Sequence, residues 1–187
     1  MKIKSGIILL ALLFIACLVF AQNEVDFQPR ALEKTLKKSG IEELTGIKEM
    51  KMTEQTSTGI NGKYFLVTEN NDNQYRYIYI GRVNSCRAGG CSLSNEPMIG
   101  GESEYFDYYI LFDKHKTVQT VKVFNYQATH GYEITAKGWL KQFIGFNGSN
   151  ALKVDKNIDA ISGATISVYA ITADVQNKTA LLKKLHL

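Results

Sequence analysis

Tyr75-Arg76-Tyr77-Ile78-Tyr79-Ile80 is the stretch on which the fold turns. Aromatic and β-branched residues fill it with a period of two, the composition of a strand packed on a pleated surface. Tyr105-Phe106-Asp107-Tyr108-Tyr109-Ile110-Leu111-Phe112 has the same strand composition further along. Working outward from these two runs, strands are expected at 63–68, 75–83, 104–113 and 117–126. The turn-rich Asn70-Asn71-Asp72-Asn73 joins the first two, and a short tip at Asp113-Lys114-His115-Lys116 joins the last two. Both pairs therefore read as antiparallel hairpins. Helices are expected at 29–38, with Gly40 as a stop signal, at 138–144 and at 166–185. Runs of strands with helices packed on one face of the sheet give an α+β domain. Between the hairpins lies a glycine-rich loop, 84–103, long enough to be a candidate lid or partner surface.

With 187 residues, 45% of them hydrophobic and only two prolines, the chain can bury one substantial core, so one domain is expected. The basic start Met1-Lys2-Ile3-Lys4 precedes an apolar run from Gly6 to Phe20, and Val19 and Ala21 are small residues where a signal peptidase reads. This has the form of a secretory signal peptide over 1–21, with the domain at 22–187. An uncleaved N-terminal anchor is the second reading, and lipidation at Cys17 in Phe14-Ile15-Ala16-Cys17 a third. Either cleavage or anchoring makes the domain exported, in the periplasm or at the cell surface. The formal net charge is +4, two units of which come from Lys2 and Lys4. Such an excess, with no basic stripe carrying interleaved aromatics, gives no support to a nucleic-acid partner.

Outside the leader two cysteines remain, in Ser85-Cys86-Arg87-Ala88-Gly89-Gly90-Cys91. In an exported protein such a close pair points to a local Cys86–Cys91 disulfide. A loop this short limits the chain-entropy gain, so a stabilisation of about 2 kcal/mol is expected. A redox-active disulfide is the sharper alternative. His115, His130 and His186 are far apart in sequence, and the cysteine pair alone offers too few ligands for a zinc site.

Chemistry is concentrated in Asp159-Ala160-Ile161-Ser162-Gly163-Ala164-Thr165. After it, Ile166, Tyr169 or Ala170, and Ala173 recur at helical spacing, which puts Thr165 at or just inside a helix N-terminus. There the first N–H groups lack intrahelical partners and the peptide dipoles favour an anion such as a phosphate. Gly163 and Ala164 keep bulk away from that point. A bland reading makes Ser162 an N-cap and Gly163 an easing of the turn. Upstream stand Thr129-His130-Gly131-Tyr132-Glu133-Ile134 and Gly138-Trp139-Leu140-Lys141-Gln142-Phe143. From the residues alone, His130 is either a loop residue or a hydrogen-bond donor to a cofactor, and Trp139 is either core or a cofactor contact.

The motif at 159–165 resembles the Asp-x-x-Ser/Thr-Gly-Ala-Thr signature of the covalent FMN-binding domains, whose best-known members are components of the sodium-pumping NADH:quinone reductase and of the Rnf electron-transport complex. The His130–Glu133 element and the Trp-x-x-Gln-Phe segment are similar to what precedes the motif in that family, although the Thr-Pro-Gly that usually follows the Glu is absent. The resemblance implies FMN carried on Thr165 through a phosphoester, installed from FAD by a magnesium-dependent flavin transferase. It also implies that Ala164, Gly163, Ser162, Asp159, His130, Glu133 and Trp139 surround the cofactor. The function then expected is that of an exported electron carrier that serves redox partner proteins or a membrane electron-transport complex. A flavin-dependent reductase acting directly on a small acceptor, and a non-redox exported binding module, are the alternatives.

Overall fold

Tyr77, Tyr79 and Val83 point to one side of the central strand, and Ile78 and Ile80 to the other. A strand apolar on both faces needs cover on both. The structure, a computed structural model, describes residues 24–41, 46–52, 61–68, 74–87 and 103–185. Five strands, β1 (Ile47–Glu49), β2 (Gly62–Val67), β3 (Tyr77–Arg87), β4 (Ser103–Phe112) and β5 (Val118–Tyr126), form one antiparallel sheet in the order of the sequence. The register sets Tyr79 opposite Tyr64 on β2 and Ile110 on β4.

The other face is covered by α1 (Arg30–Lys38), whose Leu32 and Leu36 meet Val67, Ile78, Ile80, Tyr109 and Leu111. Gly40, at φ +79°, ends α1 as expected. Its N–H donates to the Lys37 carbonyl and that of Ile41 to the Leu36 carbonyl, a left-handed C-terminal cap.

The face carrying Tyr77, Tyr79 and Val83 is covered by α2 (Lys137–Leu140), the 3-10 turn Lys141–Phe143 that continues it, and the long α3 (Thr165–Lys184). The expected helix at 138–144 is thus a short α turn run into a 3-10 turn. Leu140, Phe143, Val168, Ile171, Val175 and Leu182 pack there on Tyr64, Tyr79, Phe106, Tyr108 and Ile110. Two tyrosines bury their rings and spend their hydroxyls on the helix: Tyr64 donates to the Lys178 carbonyl at 2.7 Å and Tyr108 to Asp174 Oδ2 at 2.6 Å. Helices on a single face are therefore found for α2 and α3 only, with α1 on the opposite side.

Three further expectations change. The stripe Ile166, Tyr169 or Ala170, Ala173 is not the buried side of α3: Ile166 and Tyr169 are 40% and 54% exposed, Ala173 is exposed too, and only Ala170, half-buried, reaches the core. The helix instead buries Ser167, Val168, Ile171, Thr172, Val175, Lys178, Thr179 and Leu182. Strand β3 runs on to Arg87 and β4 starts at Ser103, so the connection between the hairpins is shorter than 84–103. Strand β1 is an addition to the expected set; its three residues carry no alternation to read. The leader 1–21, the Asn70–Asn73 turn, the Cys86–Cys91 pairing and His186 lie outside the described residues or side chains.

Candidate functional site

Ala164 is the N-cap of α3 and Thr165 its first helical residue. Ser162 is not the cap: it is exposed, two residues upstream, and among the described residues no side chain bonds the free N–H groups of the first turn. The reason is local geometry. Gly163, at φ +81°, swings the chain so that Ala164 N–H closes on the Ile161 carbonyl at 3.1 Å and the Ala164 carbonyl accepts the first helical bond, from Val168 N–H at 2.9 Å. The Ala164 methyl is buried in the core, so its smallness serves packing on the inner side, while Thr165 is exposed. A Cβ added at Gly163 would meet nothing within 4 Å among the described residues, which leave the space beside the turn open. A 20-residue helix thus presents uncapped N–H groups and an exposed threonine at one point.

Two sets of hydrogen bonds hold this corner. In the first, the Trp139 indole Nε1 donates to the Asp159 carbonyl at 2.9 Å, Asp159 N–H donates to Gln142 Oε1 at 2.8 Å, and Gln142 Nε2 donates to the Trp139 carbonyl at 3.1 Å. The Trp139 ring also meets Phe143 edge-on, centroids 5.5 Å apart. Trp139 is half-buried, so its place is neither plain core nor free surface. Asp159 is recruited through its backbone, and the residue is otherwise open to solvent.

The second set is a run of hydroxyls. Tyr126 Oη donates to the His130 carbonyl, leaving only lone pairs for Ser167 Oγ at 3.0 Å. Ser167 must then donate to Tyr126, and Ser85 Oγ, at 2.7 Å, to Ser167. One proton per hydroxyl gives the chain a single direction, from β3 through the first turn of α3 to the segment after β5. Partial burial raises the Tyr126 pKa above the usual phenol value, against the effect of its bond to Ser167 and of the nearby Ser85 hydroxyl, with Glu104 and Glu133 adding to the rise. Gly131 fits only as glycine: its φ is +90°, and a Cβ would sit 2.7 Å from Ser167 Oγ and 2.9 Å from Tyr126 Oη.

The structure therefore gathers Asp159, Ser162, Gly163, Ala164, Thr165 and Trp139 at one corner and ties the His130 backbone to the first turn of α3. The side chains of His130 and Glu133 are exposed and make no hydrogen bond or ion pair among the described residues. Around the corner stand three exposed apolar side chains, Ile166, Tyr169 and Tyr132, the last 68% exposed and edge-on to Tyr126 at 5.6 Å. Sequence reasoning assigns no role to Gln142, Tyr126, Ser85 or Ser167. For Gln142 the signal is present, since Trp-x-x-Gln puts two side chains on one side of a helical turn. For the hydroxyl chain there is none, its members being 41 and 82 residues apart.

No curated protein matches the chain. Residues 103–179 match the family model of the FMN-binding domain. The match takes in β4, β5, the Trp139–Gln142 turn, the 159–165 loop and most of α3. Over these residues the chain is similar to the FMN-binding domain family.

Proposed function

We propose that this chain is an exported flavoprotein with FMN joined to Thr165 through a phosphoester, and that it acts as an electron carrier. The observation that supports it most is the exposed Thr165 at the start of an uncapped 20-residue helix, inside the family match. The residues present suit such a group. Helix N–H groups attract a phosphate, the side of Gly163 is open, and Ile166, Tyr169 and Tyr132 offer apolar surface to a planar ring. The basic and apolar leader supports export. A cofactor fixed by a covalent bond is not lost outside the cytoplasm, where free FMN is scarce.

In the attachment, Thr165 Oγ bonds to the flavin-side phosphorus of FAD, the diphosphate bridge breaks, AMP leaves, and the hydroxyl proton passes to a base of the flavin transferase. Ser162 and the Asp159 carboxylate, both exposed and a few residues before Thr165, are the groups that the transferase would read. Once bound, FMN supplies the redox chemistry, and the protein supplies position, potential and access. The exposed His130 and Glu133 are available to tune the potential, and the apolar rim of Ile166 and Tyr169 to meet a redox partner or a membrane electron-transport complex.

The test is the intact mass of the mature protein, co-produced with a flavin transferase, beside Thr165→Ala. One FMN added to the wild type and absent from the variant is the expected result. No addition in either overturns the reading and leaves an exported binding module. A mature N-terminus at Gln22 in the same spectrum would establish cleavage of the leader.

A further inference from the structure

The loop that leads to Thr165 has little side-chain anchorage of its own. Asp159, Ala160, Ser162 and Gly163 are exposed; only Ile161, half-buried, and Ala164 reach the core. Its course is fixed instead at Asp159, where a single residue has both of its backbone polar groups taken by side chains, N–H by Gln142 and C=O by Trp139. The third bond, from Gln142 Nε2 to the Trp139 carbonyl, closes a ring of three. That ring specifies its members. At position 142 one atom must accept from Asp159 and another must donate to Trp139, which a primary amide does and a carboxylate or an alkyl chain does not. At position 139 a ring N–H is needed, and a Phe there would have none. Phe143, fully buried, holds the indole in place.

We propose that Trp139 and Gln142 are positioning residues for the modification of Thr165. They clamp the backbone of Asp159 so that the chain reaches Gly163 and the helix start in the one course that leaves Thr165 outside and the first N–H groups uncapped. They act through the loop and touch neither phosphate nor flavin. The inference rests on the attachment at Thr165, and adds to it which residues make the loop ready.

The test compares Trp139→Phe, Gln142→Leu and Gln142→Glu with a control, Leu140→Ala, which loosens the same turn from the core but leaves the clamp atoms in place. Two quantities are read: the rate at which FMN is loaded from FAD by the transferase, and, in flavin-free protein, the hydrogen exchange of the Asp159 amide and of residues 160–164. Gln142→Leu should slow loading roughly tenfold and Trp139→Phe about threefold, because each loses bonds that hold the acceptor in place. Gln142→Glu, which keeps the acceptor for Asp159 N–H but loses the donor, should fall between Gln142→Leu and wild type. Exchange should speed up in step, while Leu140→Ala lowers the melting temperature most and loads like wild type. Wild-type loading in Gln142→Leu, or slow loading in Leu140→Ala in proportion to lost stability, would overturn the proposal and leave the attachment standing. No loading of wild type would overturn the attachment, and with it any role of the clamp in modification.

Discussion

Asp174 and Lys178, one turn apart on α3, pair at 3.1 Å beneath the sheet, with side chains 19% and 6% exposed. The ammonium also lies over the Tyr79 ring, 5.5 Å from its centroid, and Asp174 accepts from Tyr108. A charge this enclosed is tolerated because its partner is within reach. Asp174→Ala would strand Lys178 and the Tyr108 hydroxyl together. It should lower stability by about 3 kcal/mol, as in other cases where one partner of a buried pair is removed. Replacing both residues, as Asp174→Leu with Lys178→Met, should recover most of that loss. Urea unfolding of the two variants beside wild type checks it; equal losses in both would show that the ion pair is not what Asp174 supports.

The two tyrosines whose rings meet at 4.8 Å on adjacent strands, Tyr64 and Tyr79, should respond to the loss of a hydroxyl with opposite signs. Tyr64 Oη has a partner, the Lys178 carbonyl. Tyr79 Oη is buried with no hydrogen-bond partner among the described residues, and it is tucked against Gly62 and Gly81, where a Cβ would collide with it. Tyr64→Phe should destabilise by about 1 kcal/mol, and Tyr79→Phe should be neutral or stabilising by up to about 1 kcal/mol. Denaturant midpoints of the two single variants decide the sign.

Burial raises the pKa of Tyr64, Tyr79 and Tyr108 well above the phenol value, and the Asp174 carboxylate raises each of them further. On the other face burial pushes Tyr109 up to about 12, against the effect of its bond to Thr35. A phenol whose folded pKa lies above its unfolded one favours folding while it is neutral. That contribution is complete below the unfolded value, about 10, and is lost as pH rises toward the folded values. Stability should therefore fall with pH above about 10. In an ultraviolet titration the phenolate signal of these rings should emerge together with loss of tertiary structure. A full phenolate signal at about pH 11, one unit above the ordinary phenol value, with the fold intact would contradict it.

Beside Thr165 the prediction concerns function rather than stability. Tyr169 and Ile166 are half-exposed or nearly so, hence Tyr169→Ala and Ile166→Ser should each change stability by no more than about 0.5 kcal/mol. If these side chains flank the flavin, the visible absorption and emission of the loaded protein should shift in both variants. Spectra identical to wild type would remove the two residues from the cofactor's surroundings.

How much of the fold and the site is legible in the sequence depends on where each residue's partner lies. The strands can be read because Tyr77 to Ile80 alternate by their own chemistry, and Thr165 because the motif that places it is contiguous. The buried side of α3 cannot, since it carries Ser167, Thr172, Lys178 and Thr179 where hydrocarbon is expected. The structure shows how these polar groups are satisfied. Thr172 and Thr179 donate to the carbonyls of Val168 and Val175 one turn back, at 2.7 Å each, Lys178 has Asp174, and Ser167 has Ser85 and Tyr126. Each looks hydrophilic in sequence and has its partner in the fold. The same limit accounts for α1, which the sequence does not assign to the face opposite the other helices. The alternation of β3 is visible, but that both of its faces need a helix follows only when the Ile78 and Ile80 side is counted as apolar surface in its own right.

The chain has one tryptophan, and it is the residue whose indole grips the loop before Thr165. The protein's indole emission therefore originates at the very corner where the cofactor is proposed to sit. An isoalloxazine ring absorbs in the range where indole emits. Loading of the protein can thus be followed by fluorometer with no label attached, as a dimming of the ultraviolet emission of Trp139 while the yellow colour of the flavin becomes inseparable from the protein.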